Sequence, residues 1–476
     1  MRLFLFLLTF LGTAITASGQ TFEETYPKTL WCPDTIIVKF NYTPTTYKYA
    51  VGEHEVVSPG TDARLNEYVM IYYGSDSLRL SYHNKLPYGQ IIFVNFASPK
   101  GKTTLRFRFN KVASSFSAEY VEKNKGNIQF DIPETYELAN IIWTLSPSGA
   151  RANNLYKEGE YYKRIMAYFK PYLKHPIFSA LDFPDSVYYS KYYNFRENSF
   201  AFNFQEPIRG SKNTKILFNG PYYLVYGNDE FADSSLFGKL KPMVEDFAAK
   251  SKFRQFYKNN LDYYQKEIQR QKELLPVKPM WTWLEEQFPK SKYQSYRIAF
   301  SPLIGASHST QNYASFIKAD LFRESVMFIS GTGRYDKRQD LTEKQKEGLM
   351  SGIVFTEIDH NYVNPATYKH AKLVDSIFSN RSVWAQRGDS DLYGSSESVF
   401  NEYMTHAAFC LYVLDTYEKS IADFVIDDRE ELMVNRRNFV KFKEFDRELI
   451  RLRQAHKDLK VVELYPMILE WCKQQI

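Results

Sequence analysis

The chain has 476 residues, 24% of them charged and 17% aromatic, with a formal charge of +6. Its lysines and arginines interleave with acids, so no basic stripe marks a nucleic-acid footprint. The 37 Tyr and 37 Phe exclude a disordered polymer. Such a length can bury sizeable cores and suggests two or three domains. Cys32, Cys410 and Cys472 form an odd set without metal-ligand spacing. An exported protein can pair two of them, and the sequence does not say which.

Residues 1–19, MRLFLFLLTFLGTAITASG, read as a secretory signal. Arg2 makes a positive start, Leu3 to Leu11 an apolar core, and Ala17-Ser18-Gly19 a small-residue cleavage site. No cysteine follows to carry a lipid, and no later stretch is apolar enough to span a membrane. The expectation is an exported protein, periplasmic or extracellular.

Residues 20–129 carry a β pattern. Thr35 to Tyr42, Tyr68 to Tyr73, Leu78 to Tyr82, Gln90 to Phe96 and Thr103 to Phe109 are rich in β-branched and aromatic residues, and several alternate apolar with polar. Gly74 to Ser77 and Ser98 to Gly101 punctuate them as hairpin turns. The reading is a β-sandwich-like module, either an accessory packing module or a carbohydrate-binding one.

The texture changes near Phe130. ETYELANIIWTL after Pro133 and the run from Tyr161 to Leu173 are amphipathic helix candidates. A long helical stretch from about Lys239 to Leu275 is closed by Pro276 and Pro279. Tyr296 to Leu303, Ala314 to Leu321 and Glu324 to Ser330 are strands of a small sheet. The fold class expected is therefore α+β: the β module, then a mainly helical domain over residues 130–476 that carries this sheet.

The chemistry lies in GLMSGIVFTEIDHNYVNP, Gly348 to Pro365. Glu343 to Val363 has helical composition, with Asn364-Pro365 as its stop. Two histidines four apart on a helix can reach one zinc ion while the Glu between them handles the proton of a water. Here the five positions are Thr356, Glu357, Ile358, Asp359 and His360, so the first ligand is a threonine, and a neutral hydroxyl holds zinc poorly. Thr356 and His360 lie about 40° apart round the helix, with Glu357 about 100° to one side and Asp359 about 60° to the other. A second helical stretch, SSESVFNEYMTHAAFCLYVL, follows. It offers Glu402, 42 residues beyond His360, and His406 one turn further on the same face.

From about Glu134 onward the chain resembles the bacterial family called domain of unknown function 4932. The matching stretches are ETYELANIIWTL, YFKPYLKHP, TEIDHNYVNP, VFNEYMTHA and VELYPMILEW, in the same order over roughly 340 residues. The resemblance implies a zincin-like fold and a zinc metallopeptidase of the HExxH-plus-Glu kind. His360 and Glu402 would be ligands, Glu357 the general base, and a peptide or protein the substrate. Thr356 departs from the pattern, and three readings stay open. The site is dead and the fold survives as a peptide- or protein-binding pseudopeptidase. Alternatively His406 replaces the missing imidazole, so that His360, Glu402 and His406 hold zinc and Glu357 takes the water's proton. Or Asp359 or Glu357 becomes a ligand to a harder ion. Tyr393, His308 and His370 are further proton donors to look for.

Overall fold

The computed structural model describes residues 22–40, 46–49, 54–57, 68–81, 90–109, 114, 116–206, 214–223, 232–317, 320–386, 388, 390 and 393–476. The expected signal segment, residues 1–19, and the strand ends at Tyr42 and Tyr82 lie outside them. The protein is mixed α and β and folds as two compact units. One comprises Gly19–Gln269 with Tyr293–Arg334; the other contains Arg270–Lys292 and Tyr335–Ile476. The change of texture near residue 130 is a passage from strands to helices inside the first unit.

Alternation explains the strands of that unit. In one sheet Thr46–Tyr49, Ile36–Phe40, Tyr68–Tyr73 and Asp76–Ser81 pair antiparallel in that order. In another, the hairpin Gln90–Ser98 and Gly101–Phe109 is flanked by parallel neighbours: Phe22–Thr25 and Leu30–Trp31 on the first strand, His54–Val57 on the second. Every second residue turns inward, and Val38, Ile71, Ile92, Val94, Leu105 and Phe107 join one apolar cluster drawn from both sheets. Gly74 (φ +58°) and Gly101 (φ +122°) close the two hairpins in conformations that favour glycine.

The third sheet runs Ile128–Asp131, Ser295–Ser301, Asp320–Ser330, Ser309–Ile317. The first three strands are parallel and the last returns antiparallel. Helix Glu134–Leu145 forms as expected and is buried along almost its whole length. The long stretch expected from Lys239 to Leu275 is instead three helices, Leu236–Lys250, Phe253–Asn259 and Leu261–Leu274. Lys252 breaks the first junction by adopting a left-handed conformation (φ 53°), and Asn260 interrupts the second. Pro279 ends nothing: it lies in the first turn of a further helix, Val277–Gln287, where its missing N–H has no helical partner to lose.

The core of this unit holds an acid. Glu137, fully buried, accepts from the Tyr161 hydroxyl at 2.7 Å, and that hydroxyl lies 2.6 Å from the hydroxyl of Tyr264. Burial, against the help of Tyr161 and Ser301, pushes the carboxyl up to about 8. The folded protein thus holds a proton that the unfolded chain releases above its ordinary value of 4.5. Stability falls as pH rises across that window, by up to about 1.4 kcal/mol per pH unit from this group. Glu137→Gln should flatten the slope, gaining stability relative to the parent at pH 8 and little at pH 4.5. Urea titrations at the two pH values measure it, and an unchanged slope would remove Glu137 as its source.

Among the described residues no helix is long and apolar enough to cross a membrane. Cys32, Cys410 and Cys472 are all buried and unpaired with one another, so the disulfide left open by the sequence does not form here.

Candidate functional site

The site is built in the helical unit around the motif helix, Glu343–Thr367. Thr342 and Gln345 form a reciprocal capping box at its start. Met350, Val354, Phe355, Ile358 and Tyr362 are all buried, which marks a central helix surrounded by others. The expected stop at Asn364-Pro365 is overrun by two residues. Pro365 lies in the last turn, where it removes one hydrogen bond at a frayed end rather than breaking the interior.

Gly348 and Gly352, one turn apart, admit the helix Lys419–Glu431. A Cβ on Gly348 would stand 2.6 Å from Val425 Cγ2, and one on Gly352 would stand 1.8 Å from Arg429 Nη2. The Arg429 guanidinium therefore lies directly against the motif helix, 4.7 Å above the ring of Phe409. Thr356 occupies the next turn of the same stripe. Its hydroxyl is turned back on its own helix, donating to Gly352 O at 2.8 Å and approaching Ile353 O at 3.2 Å.

The helix Ser396–Thr416, capped by Ser395 and Ser398, brings in Glu402, Thr405 and His406. Glu402 and His406 are buried. His360 Nε2 lies 3.3 Å from Glu402 Oε1, and His406 Nε2 lies 3.5 Å from Glu402 Oε2. Glu357 is half-buried, and its charge is felt by His360, Tyr393 and Arg437. The residues singled out in the sequence are thus brought together. Of the further donors considered, Tyr393 is at the site. His370 instead stacks on Tyr465, and His308 is half-buried in the other unit.

Two arginines complete the cluster, and sequence reasoning missed both. After Lys419–Glu431 the chain makes a π-helical turn, Leu432–Arg436, closed by Arg437 N bonding Leu432 O at 3.0 Å. Asn438 then adopts a left-handed conformation (φ 60°). This turn aims Arg437 into the cluster. Its Nη1 lies 2.5 Å from His406 Nε2, its Nη2 donates to Glu402 Oε2 at 2.8 Å, and Nη2 also donates to the Tyr393 hydroxyl. Arg429 Nη1 stands 2.9 Å from the opposite nitrogen, His406 Nδ1.

The electrostatics follow from this placing. Burial would raise Glu402, but Arg437 and the hydrogen bonds from His360 and His406 outweigh it and hold the carboxylate well below its usual range. Burial would lower His360, but Glu402 above all carries it up to about 9, so it is a cation at neutral pH. Burial, with Arg437 and Arg429, drives His406 down to about 3, so it is neutral. Burial keeps the Asp359 carboxyl well above the carboxylate range.

A zinc ion makes definite demands on this donor set. A ligating histidine binds through one nitrogen and donates the other N–H to an acceptor. His360 meets the demand: its Nε2 faces Glu402, and its Nδ1 has Asn364 Oδ1 at 3.4 Å and Thr405 Oγ1 at 3.5 Å. His406 does not. Either nitrogen it would offer a zinc ion faces a guanidinium, Nδ1 that of Arg429 and Nε2 that of Arg437, and only Nε2 has an acceptor beside it, Glu402 Oε2. Asp359 is fully buried, which disfavours its charged form, and Thr356 is turned away. Among the described residues no group of three or more His, Cys, Asp or Glu side chains is arranged to hold a metal ion. The arrangement fits an arginine rather than a third metal ligand. Comparison with known proteins finds no matching family model, no matching curated protein and no matching solved structure.

Proposed function

We propose that this chain is an exported, zincin-like pseudopeptidase: a metallopeptidase scaffold that binds peptide or protein without hydrolysing it. The two N-terminal sheets would be its accessory sandwich. One observation carries the reading: Arg437 bridges Glu402 and His406, so a fixed positive charge sits among the side chains that a zinc ion would need. The resemblance to the domain of unknown function 4932 family supplies the scaffold, and the departure at Thr356 agrees with loss of the metal. His360 and Arg437 remain 28% and 20% exposed, while Glu402 and His406 lie beneath them at 4%. The open side of the cluster therefore presents two cations beside the half-buried acid Glu357, and the cations suit the carbonyls and carboxylates of an extended peptide. The carbohydrate reading has less to draw on. Among the described residues of the β module, the exposed aromatics Trp31 and Tyr72 belong to different sheets.

The test is elemental analysis of the tag-free protein after incubation with zinc, beside His360→Ala. The expected result is far below one equivalent in both, with no cleavage of unfolded protein substrates. One equivalent of zinc in the parent, lost in His360→Ala, would overturn the proposal in favour of a compensated metallopeptidase with His406 as third ligand.

A further inference from the structure

We infer that the helical unit carries a second binding site, for a small amphiphilic carboxylate, at the C-terminal end of the motif helix. A cavity of about 490 Å³ opens there, within the roughly 300–1,000 Å³ range of small-molecule sites. Phe288, Tyr362, Ala366 and Val462 supply apolar lining, and none of the residues around Arg437 takes part. Phe288 and Tyr362 are themselves buried, so the floor is fixed before anything binds.

The rim decides the ligand's charge. Lys290, Lys369 and Lys460 face Glu463 as the one acid lining the cavity, and among the described residues none of the three lysines forms an ion pair. Lys369 and Lys290 lie just beyond the ends of the helices Glu343–Thr367 and Val277–Gln287, where a cation is favoured. Lys460 has no such reason. Three ammonium groups around an apolar floor complement a molecule with a hydrocarbon body and an anionic head.

The head is assigned as a carboxylate. Phosphate sites draw on helix N-termini, free backbone N–H groups or arginine forks. No arginine lines this cavity, and the Lys460 N–H is already taken by Glu463 Oε2 at 2.7 Å. Two helices end at the cavity, after Gln287 and Thr367, against one that starts beside it, after Leu464, so the helix ends together do not favour a dianion.

Calorimetric titration of the whole protein with decanoate, decanol and decyl phosphate, below their aggregation concentrations, tests the inference. One decanoate should bind per chain, with decanol at least about tenfold weaker and decyl phosphate no tighter than decanoate. The exposed pair Lys290→Glu/Lys369→Glu should abolish decanoate binding while lowering the melting point by only a few degrees, the cost of acids at two helix ends, and Val462→Trp should weaken it by crowding the cavity. Equal binding of decanol, undiminished binding by the double variant or no saturable binding would overturn the site. Tighter binding of decyl phosphate would overturn the assignment of the head.

Discussion

Arg437→Ala should destabilise the helical unit by about 3–5 kcal/mol, the cost of leaving a buried charge without its partner. That corresponds to a fall of roughly 10 °C in the melting transition of a unit this size. Arg437 is the counter-charge of Glu402, whose side chain is only 4% exposed. With the guanidinium gone, that carboxylate keeps only the imidazoles. Adding Glu402→Gln should recover part of the loss, because the double variant has no stranded charge. If the single and double variants melt together, Arg437 acts by packing alone and the charge-substitution reading fails.

The same cluster gives a pH signature. Glu402 is depressed from 4.5, so its contribution is complete above that value and is lost as the pH falls through its folded value. His360 is raised from 6.5 to about 9, so its contribution is complete below 6.5 and is lost as the pH rises through 9. Both are present together between about pH 4.5 and 6.5. Arg437→Ala should erode the acid side of that profile, because the guanidinium is the first of the influences that depress Glu402.

What the sequence revealed of this site, and what it hid, divides along a physical line. The spacing of Glu357 and His360, and of Glu402 and His406, sets which residues share a helix face, because 3.6 residues per turn is a local rule. Those residues are together in the structure. Arg437 arrives by a π-helical turn and a left-handed Asn438, and Arg429 by a helix approach that two glycines permit. Neither route leaves a periodic trace, and in DDREELMVNRRN both arginines read as solvated charge. The same divide runs through the fold. Runs such as Gln90–Ser98 are long enough to alternate visibly, whereas Leu30–Trp31 and Thr46–Tyr49 are too short to show a period and are strands only through their partners. The break of the 239–275 stretch at the left-handed Lys252 is likewise announced by no glycine or proline at the junction.

Gly352→Ala should be among the most damaging single changes available, although in an isolated helix it would add roughly 1 kcal/mol of stability. The new methyl carbon would stand 1.8 Å from Arg429 Nη2, 3.0 Å from Arg429 Cζ and 3.0 Å from Phe409 Cε1. An arginine in water would swing aside at little cost. This one is buried, lies over the Phe409 ring and holds its place against His406 Nδ1, so moving it disturbs three groups together. Overpacking of this kind costs about 1–3 kcal/mol, and displacing a buried hydrogen-bonded charge adds to it. The expected loss is about 3 kcal/mol, read as a shift of the urea midpoint at constant slope. Arg429→Ala should remove most of the penalty, so that Gly352→Ala made in that background is nearly neutral or stabilising. A cycle of the four proteins measures the coupling. Additive effects would mean that the glycine serves the motif helix in some other way than by admitting Arg429.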